Sequence, residues 1–202
     1  MGMQFVSLFL LVLIPPIALK QKLKRTYRVT KYVVYRQTLI EPEDHVWTFI
    51  GAFIAIALIG GIQTAGLTYM DNVFLIGSFG ASAVLIFGAT NSPLAQPRNL
   101  IGGHLISAII GVTVHKLLPD QLWLASGLAV ATSIVAMQMT KTLHPPGGAT
   151  ALIANIGSEK IKALGWMYIL SPVMTGVLIM FTIAMIVNNI PRNRHYPYKR
   201  KL

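Results

Sequence analysis

Long apolar runs separated by short polar punctuation set the pattern of this chain. Val46–Leu67, Val73–Ala89, Asn99–Leu118, Leu122–Thr140, His144–Gly157 and Leu164–Asn189 each read as helix. Four of them approach or exceed the roughly 20 residues that carry an α-helix across a bilayer. Val73–Ala89 and His144–Gly157 are shorter and rich in glycine. The charges Asp71, Arg98, Lys116, Asp120, Lys141, Glu159, Lys160 and Lys162 fall between the runs or at their edges, so no relay of intramembrane carboxylates is on offer.

Ahead of these runs, Met3–Ile14 is apolar and closed by Pro15-Pro16. Its basic flank lies on the wrong side for a signal peptide, and it reads as an extra N-terminal hydrophobic helix, uncleaved and interfacial, with spanning the less favoured alternative. Arg25–Thr38 mixes basic residues with Tyr27, Val34 and Tyr35, which suits a helix lying on the cytoplasmic surface. Glu41-Pro42-Glu43-Asp44 turns the chain into the membrane body, with Trp47 as interface anchor. The expected organisation is an N-terminal segment over residues 1–45, a transmembrane domain over 46–190 and a basic tail over 191–202.

Composition removes whole classes. A chain with 54% hydrophobic and 11% charged residues is an integral membrane protein, not a soluble domain. The lack of cysteine excludes disulfides and thiolate metal sites. The net charge of +11 sits in two blocks, Lys20 to Arg36 and Arg192 to Lys201. Both flank apolar runs, so anionic lipid headgroups rather than nucleic acid are the expected partners. Six crossings put both blocks on one side together with Arg98 and Lys141, which makes the C-terminus cytoplasmic.

The two short runs resemble each other at an offset of 68 positions, which places Phe79-Gly80-Ala81-Ser82 on Gly147-Gly148-Ala149-Thr150. At the same offset Gly103-His104 falls on Ser171-Pro172. Three spans per copy give the copies opposite orientations. The expected fold is therefore all-α, with about six transmembrane crossings arranged as two inverted three-helix repeats, the second helix of each short or broken. Substrate sites in that architecture lie where the repeats meet.

His144-Pro145-Pro146-Gly147-Gly148-Ala149-Thr150 is the least membrane-like stretch of the chain. Prolines suit the first turn of a helix, and glycines leave its backbone uncovered. A bare helix start favours an anion. The expected site joins that start to Gly80-Ala81-Ser82, with Ser78, Ser82 and Thr150 as hydroxyl donors. His144 has three candidate roles: donor to the substrate, proton shuttle, or cap of the helix. His104, inside a span, either bonds a neighbouring helix or touches substrate. Arg98 and Asn99 either recruit anions or tie their loop to the His144 loop. Close packing is the competing account of the glycines, and it holds for Gly103, Ser107 and Gly111 on one helix face.

His144-Pro145-Pro146-Gly147-Gly148-Ala149-Thr150-Ala151-Leu152, with Ser92-Pro93-Leu94-Ala95-Gln96-Pro97-Arg98-Asn99 and Gly102-Gly103-His104, resembles the HPP family of integral membrane proteins over roughly Trp47 to Val187. The resemblance implies nitrite transport, as plant chloroplast and cyanobacterial members are implicated in it; the residues themselves support only a small-anion site. With no transit peptide visible at Met1–Lys20, a bacterial or cyanobacterial plasma membrane is expected. An anion channel or a non-transporting membrane subunit stays open beside the carrier, and so does a homo-oligomer. An intramembrane enzyme is disfavoured: there is no buried carboxylate, no nucleophile elbow, and His104 and His144 are too few to hold a catalytic metal. No cofactor is expected.

Overall fold

The computed structural model describes Lys24, residues 42–65 and residues 77–198. The expectations for Met3–Ile14 and Arg25–Thr38, and those for Lys199 to Lys201, lie outside the described residues.

The described residues beyond Lys24 form an all-helical body. Helix α1 runs Pro42–Thr64 and α2 runs Gly77–Gly88, ending in a π-helical turn over Val84–Gly88. After a 3-10 turn at Pro93–Ala95 come α3 (Pro97–Leu117), α4 (Leu122–Met139), α5 (Pro145–Ile156) and the short α6 (Glu159–Ala163). Helix α7 covers Ile169–Val187. Among the described residues, α1, α3, α4 and α7 are long and apolar enough to cross a membrane. Helix α5 has 12 residues, about 18 Å at 1.5 Å per residue, well short of a hydrocarbon layer of about 30 Å.

Small residues decide how closely these helices approach. In α1 the buried positions Gly51, Ala55, Ile59 and Gln63 recur every fourth residue, while Phe49, Phe53, Leu58 and Ile62 face outwards. Such a helix shows its bulk to lipid and its narrow face to the protein. A methyl group placed on Gly51 would come within 2.4 Å of the Phe87 ring, and one on Gly176 within 2.4 Å of Phe79. On α3, a methyl at Gly103 would meet Cβ of His144 at 2.5 Å, and one at Gly111 would meet the Ala151 carbonyl at 2.6 Å. The packing expected of that α3 face is therefore observed, and α5 is what it packs on.

Both broken helices break for local reasons. In α7, Ser171 is extended (φ −138, ψ 122), and the ring of Pro172 removes a backbone donor from the next turn. The π-helical end of α2 leaves carbonyls that the helix itself cannot satisfy. Side chains from distant segments take them: Asn188 Nδ2 donates to Ile86 O at 2.8 Å, while Thr48 Oγ1 at 2.9 Å and Arg194 Nη1 at 3.2 Å donate to Phe87 O.

Arg194 comes from the stretch expected to be a basic tail, yet it is buried and paired with the Asp44 carboxylate at the start of α1. Tyr196 is buried beside it and donates to Ala95 O at 2.8 Å. Residues up to Tyr198 thus fold back onto the 3-10 turn, where the Tyr198 amide donates to Gln96 Oε1.

A candidate hydroxyl–imidazole site

The sequence places a histidine before Pro145 and small hydroxyl residues early in α2 and α5; the fold brings them into one buried cluster. Pro145 and Pro146 occupy the first positions of α5, where a fixed φ fits and a missing donor costs little. The turn before α5 is held from two sides. Lys141 adopts the left-handed conformation (φ 57), Arg98 Nη2 donates to Thr140 O at 2.7 Å, and Asn99 Nδ2 donates to Leu143 O at 2.7 Å. Of the two roles left open for Arg98 and Asn99, tying the loops together is the one the geometry displays.

His144 therefore enters the protein at a defined place, fully buried. Its Nδ1 donates to Leu94 O at 2.8 Å, and its Nε2 stands 2.9 Å from Ser82 Oγ. The same hydroxyl lies 2.8 Å from His104 Nε2. On its other side His104 Nδ1 is 2.7 Å from Thr150 Oγ1, which is 2.8 Å from Ser78 Oγ. Ser82, His104 and His144 have no solvent exposure, and Ser78 and Thr150 almost none. Such groups are tolerated inside a membrane protein only because each has partners.

The contacts also fix how the short helices meet. Ser78 touches Pro146 O and Thr150, and Ser82, one turn further along α2, touches His144, at the start of α5. Advancing along α2 means retreating along α5, so the two run in opposite senses where they cross.

One expectation fails here. The first three residues of α5 offer no free amide: Pro145 and Pro146 have no N–H, and the Gly147 N–H turns back onto His144 O at 2.8 Å. Hydroxyls and imidazoles, not bare amides, are the polar groups of this site. His144 occupies the N-cap position but makes no side-chain cap, so capping is not its role. Gly147 is a packing residue, since a methyl there would meet Ser107 Oγ at 2.7 Å and Gly103 O at 3.0 Å. Gly148 differs: a methyl would meet only Val130 Cγ1 at 3.9 Å, and at Gly80 nothing within 4 Å. Ala81 is exposed and Ala149 half-buried, and neither side chain has a polar group to bring to the cluster.

Two participants had no marker in the sequence. Leu94 contributes only a backbone carbonyl. Tyr168, buried, donates to Thr150 O at 2.9 Å and steadies that turn. A cavity of about 200 Å³ lies elsewhere, lined by Ile59, Gln63, Ser171, Thr175 and Gly176 among others, and shares no residue with the cluster. Among the described residues no group of His, Asp or Glu is placed to hold a metal ion.

A family model described as "HPP, transmembrane region" matches residues 37–197. Two transmembrane proteins of Dictyostelium discoideum are similar to the chain. One is 46% identical over 158 residues, 77% of this chain and 50% of its own length. The other is 44% identical over 165 residues, 80% of this chain and 58% of its own length. The chain thus spans about half the length of these relatives. No solved structure matches it significantly.

Proposed function

Starting from the fact that the chain belongs to the HPP family of transmembrane proteins, we propose that it carries a small monovalent anion, nitrite, through the cluster between α2, α3 and α5. The observation that carries this reading is the crossing of α2 with the start of α5 around Ser78, Ser82, His104, His144 and Thr150. The positive end of the α5 dipole falls there, in surroundings of low dielectric. An anion drawn to that end finds hydroxyl and imidazole hydrogens that can turn from one another towards it. The open sides of Gly80 and Gly148 are where a guest meets least resistance.

Two short helices crossing in opposite senses suit an inverted repeat with six crossings, α2 and α5 being the short members. The positive blocks favour a cytoplasmic C-terminus. The relatives come from a eukaryote, so a bacterial plasma membrane is no part of the proposal. No enzymatic activity is proposed, and neither is a protein partner.

Sealed vesicles containing the purified protein test the reading. Uptake of nitrite above that of protein-free vesicles is expected, with loss of at least about tenfold in His144→Ala and Gly148→Leu, about 1.4 kcal/mol of barrier or more. Undiminished uptake in both variants refutes the site.

A further inference from the structure

The bonds of the cluster have a direction, which follows from one fixed end. Leu94 O can only accept, so His144 Nδ1 carries a hydrogen. In the neutral ring Nε2 is then the acceptor, and Ser82 Oγ donates to it. That uses the single hydrogen of Ser82, so Ser82 accepts from His104 Nε2. His104 Nδ1 accepts from Thr150 in turn, and Thr150 accepts from Ser78. These bonds are 2.7 to 2.9 Å long. The competing contacts, Ser78 to Pro146 O at 3.2 Å and Ser82 to Ser78 O at 3.4 Å, are longer. Every donor points the same way, from Ser78 towards His144.

From this order we infer that the chain of side chains is a proton relay, and that the protein moves a proton together with its anion; the second half rests on the anion reading above. A proton delivered to Ser78 Oγ sends that hydroxyl's own hydrogen to Thr150. The Thr150 hydrogen passes to His104 Nδ1, the hydrogen on His104 Nε2 passes to Ser82, and that of Ser82 passes to His144 Nε2. Each transfer forms one O–H or N–H bond and breaks another. The net result is one additional proton, held at His144 as imidazolium.

The position of His144 supplies the coupling. It stands at the N-cap of α5, where the helix dipole opposes a positive charge. An anion at the same place removes that opposition, and the imidazolium attracts the anion. By linkage each guest raises the affinity for the other by the same factor, about tenfold for a coupling of ordinary size. Few other charges intervene. Among the described residues α2, α4, α5 and α7 carry none, and the loop through Pro93–Ala95 carries none. On α3, Arg98 is exposed and bonded to Thr140 O, while His115 and Lys116 lie in its last turn. On α1, Asp44 is paired with Arg194 while Glu43 and His45 are exposed, and Lys141, in the turn before His144, is exposed as well. Tyr168 meets the cluster only by donating to Thr150 O.

The whole chain, reconstituted in sealed vesicles with a trapped pH-sensitive dye, tests this. Protein-free vesicles are subtracted, because nitrous acid leaks through bare lipid. A nitrite pulse is expected to acidify the lumen in step with nitrite uptake. Ser82→Ala, which severs the two imidazoles, lowers that proton signal at least about tenfold, whereas Ser82→Thr keeps most of it. Nitrite uptake without acidification overturns the relay and leaves the anion reading standing. A protein-dependent proton signal without nitrite uptake overturns the anion reading and leaves the relay; neither signal overturns both. Should Ser82→Ala fail to fold, nitrogen NMR of the histidine-labelled wild-type protein decides. His144 protonated at Nδ1 and His104 at Nε2 is the expected pair, and His104 protonated at Nδ1 alone refutes the relay.

Discussion

His104 and His144 aim their Nε2 atoms at one hydroxyl, Ser82 Oγ, at 2.8 and 2.9 Å, with ring centroids 5.0 Å apart. Neither ring stacks on the other, as their planes are tilted by 57°. What joins them is the serine.

That relationship makes the two histidines energetically one unit. His104→Ala and His144→Ala each strand a buried polar partner, at about 1–3 kcal/mol apiece. The double variant should cost less than the sum by about 1 kcal/mol, since the second removal finds the network already broken. Unfolding in detergent micelles measures the cycle, and strict additivity would contradict a shared network.

The adjacent glycines of α5 should behave oppositely. Gly147→Ala forces a methyl against Ser107 Oγ at 2.7 Å and the Gly103 carbonyl at 3.0 Å, which should cost about 1–3 kcal/mol. Gly148→Ala meets only Val130 at 3.9 Å and should leave the melting temperature nearly unchanged. Thermal unfolding of the two variants side by side checks the contrast.

Arg194 and Asp44 tie the end of the described chain to the start of α1, and Arg194 is buried. Replacing either partner with alanine leaves a charge without its counterpart, a loss on the order of 3 kcal/mol. Because Arg194 also bonds Phe87 O and Thr48, Arg194→Lys should rescue little of it. Equal stability of Arg194→Lys and wild type would refute the role given to the guanidinium fork.

Asn99 and Arg98 brace the same turn with unequal consequence. Arg98 is exposed, so Arg98→Ala should change stability by under about 0.5 kcal/mol. Asn99→Ala leaves Leu143 O unpaired next to His144 and should cost about 1–2 kcal/mol. Chemical unfolding curves separate the two, and a larger loss in Arg98→Ala would reverse the assignment.

Burial pushes the Tyr196 phenol above its usual range, because the ionised form would lose water without gaining a partner. A folded-state value raised above the unfolded one stabilises the protein fully below pH about 10, and the benefit is lost as pH rises through the folded value. Wild type should therefore lose stability above pH about 10 more steeply than Tyr196→Phe, in which this titration is missing. Stability measured against pH for both proteins gives the difference, with the lysines common to each cancelling.

Much of the fold was legible because lipid imposes a strict rule on sequence. A helix in hydrocarbon must be apolar and of a certain length, so α1, α3, α4 and α7 follow from composition alone, with ends within a few residues of those expected. Pro145-Pro146 announce a helix start for the same local reason, φ and a missing donor, and the sequence offers Ser78, Ser82 and Thr150 as hydroxyl donors beside His104 and His144.

What those residues do to one another was decided by tertiary structure. Prolines and glycines tell of a bare helix end, but whether its amides are free depends on where Gly147 turns, and it turns inward to His144 O. The pairing of Ser82 with both imidazoles joins residues far apart in the chain, and only the crossing of α2 and α5 brings them within reach. Arg194 reads as one more basic tail residue until Asp44 stands beside it. Local sequence fixes dihedral preference and hydrophobicity, which act over a turn or two; hydrogen-bond direction and burial belong to contacts that exist only once the helices have packed.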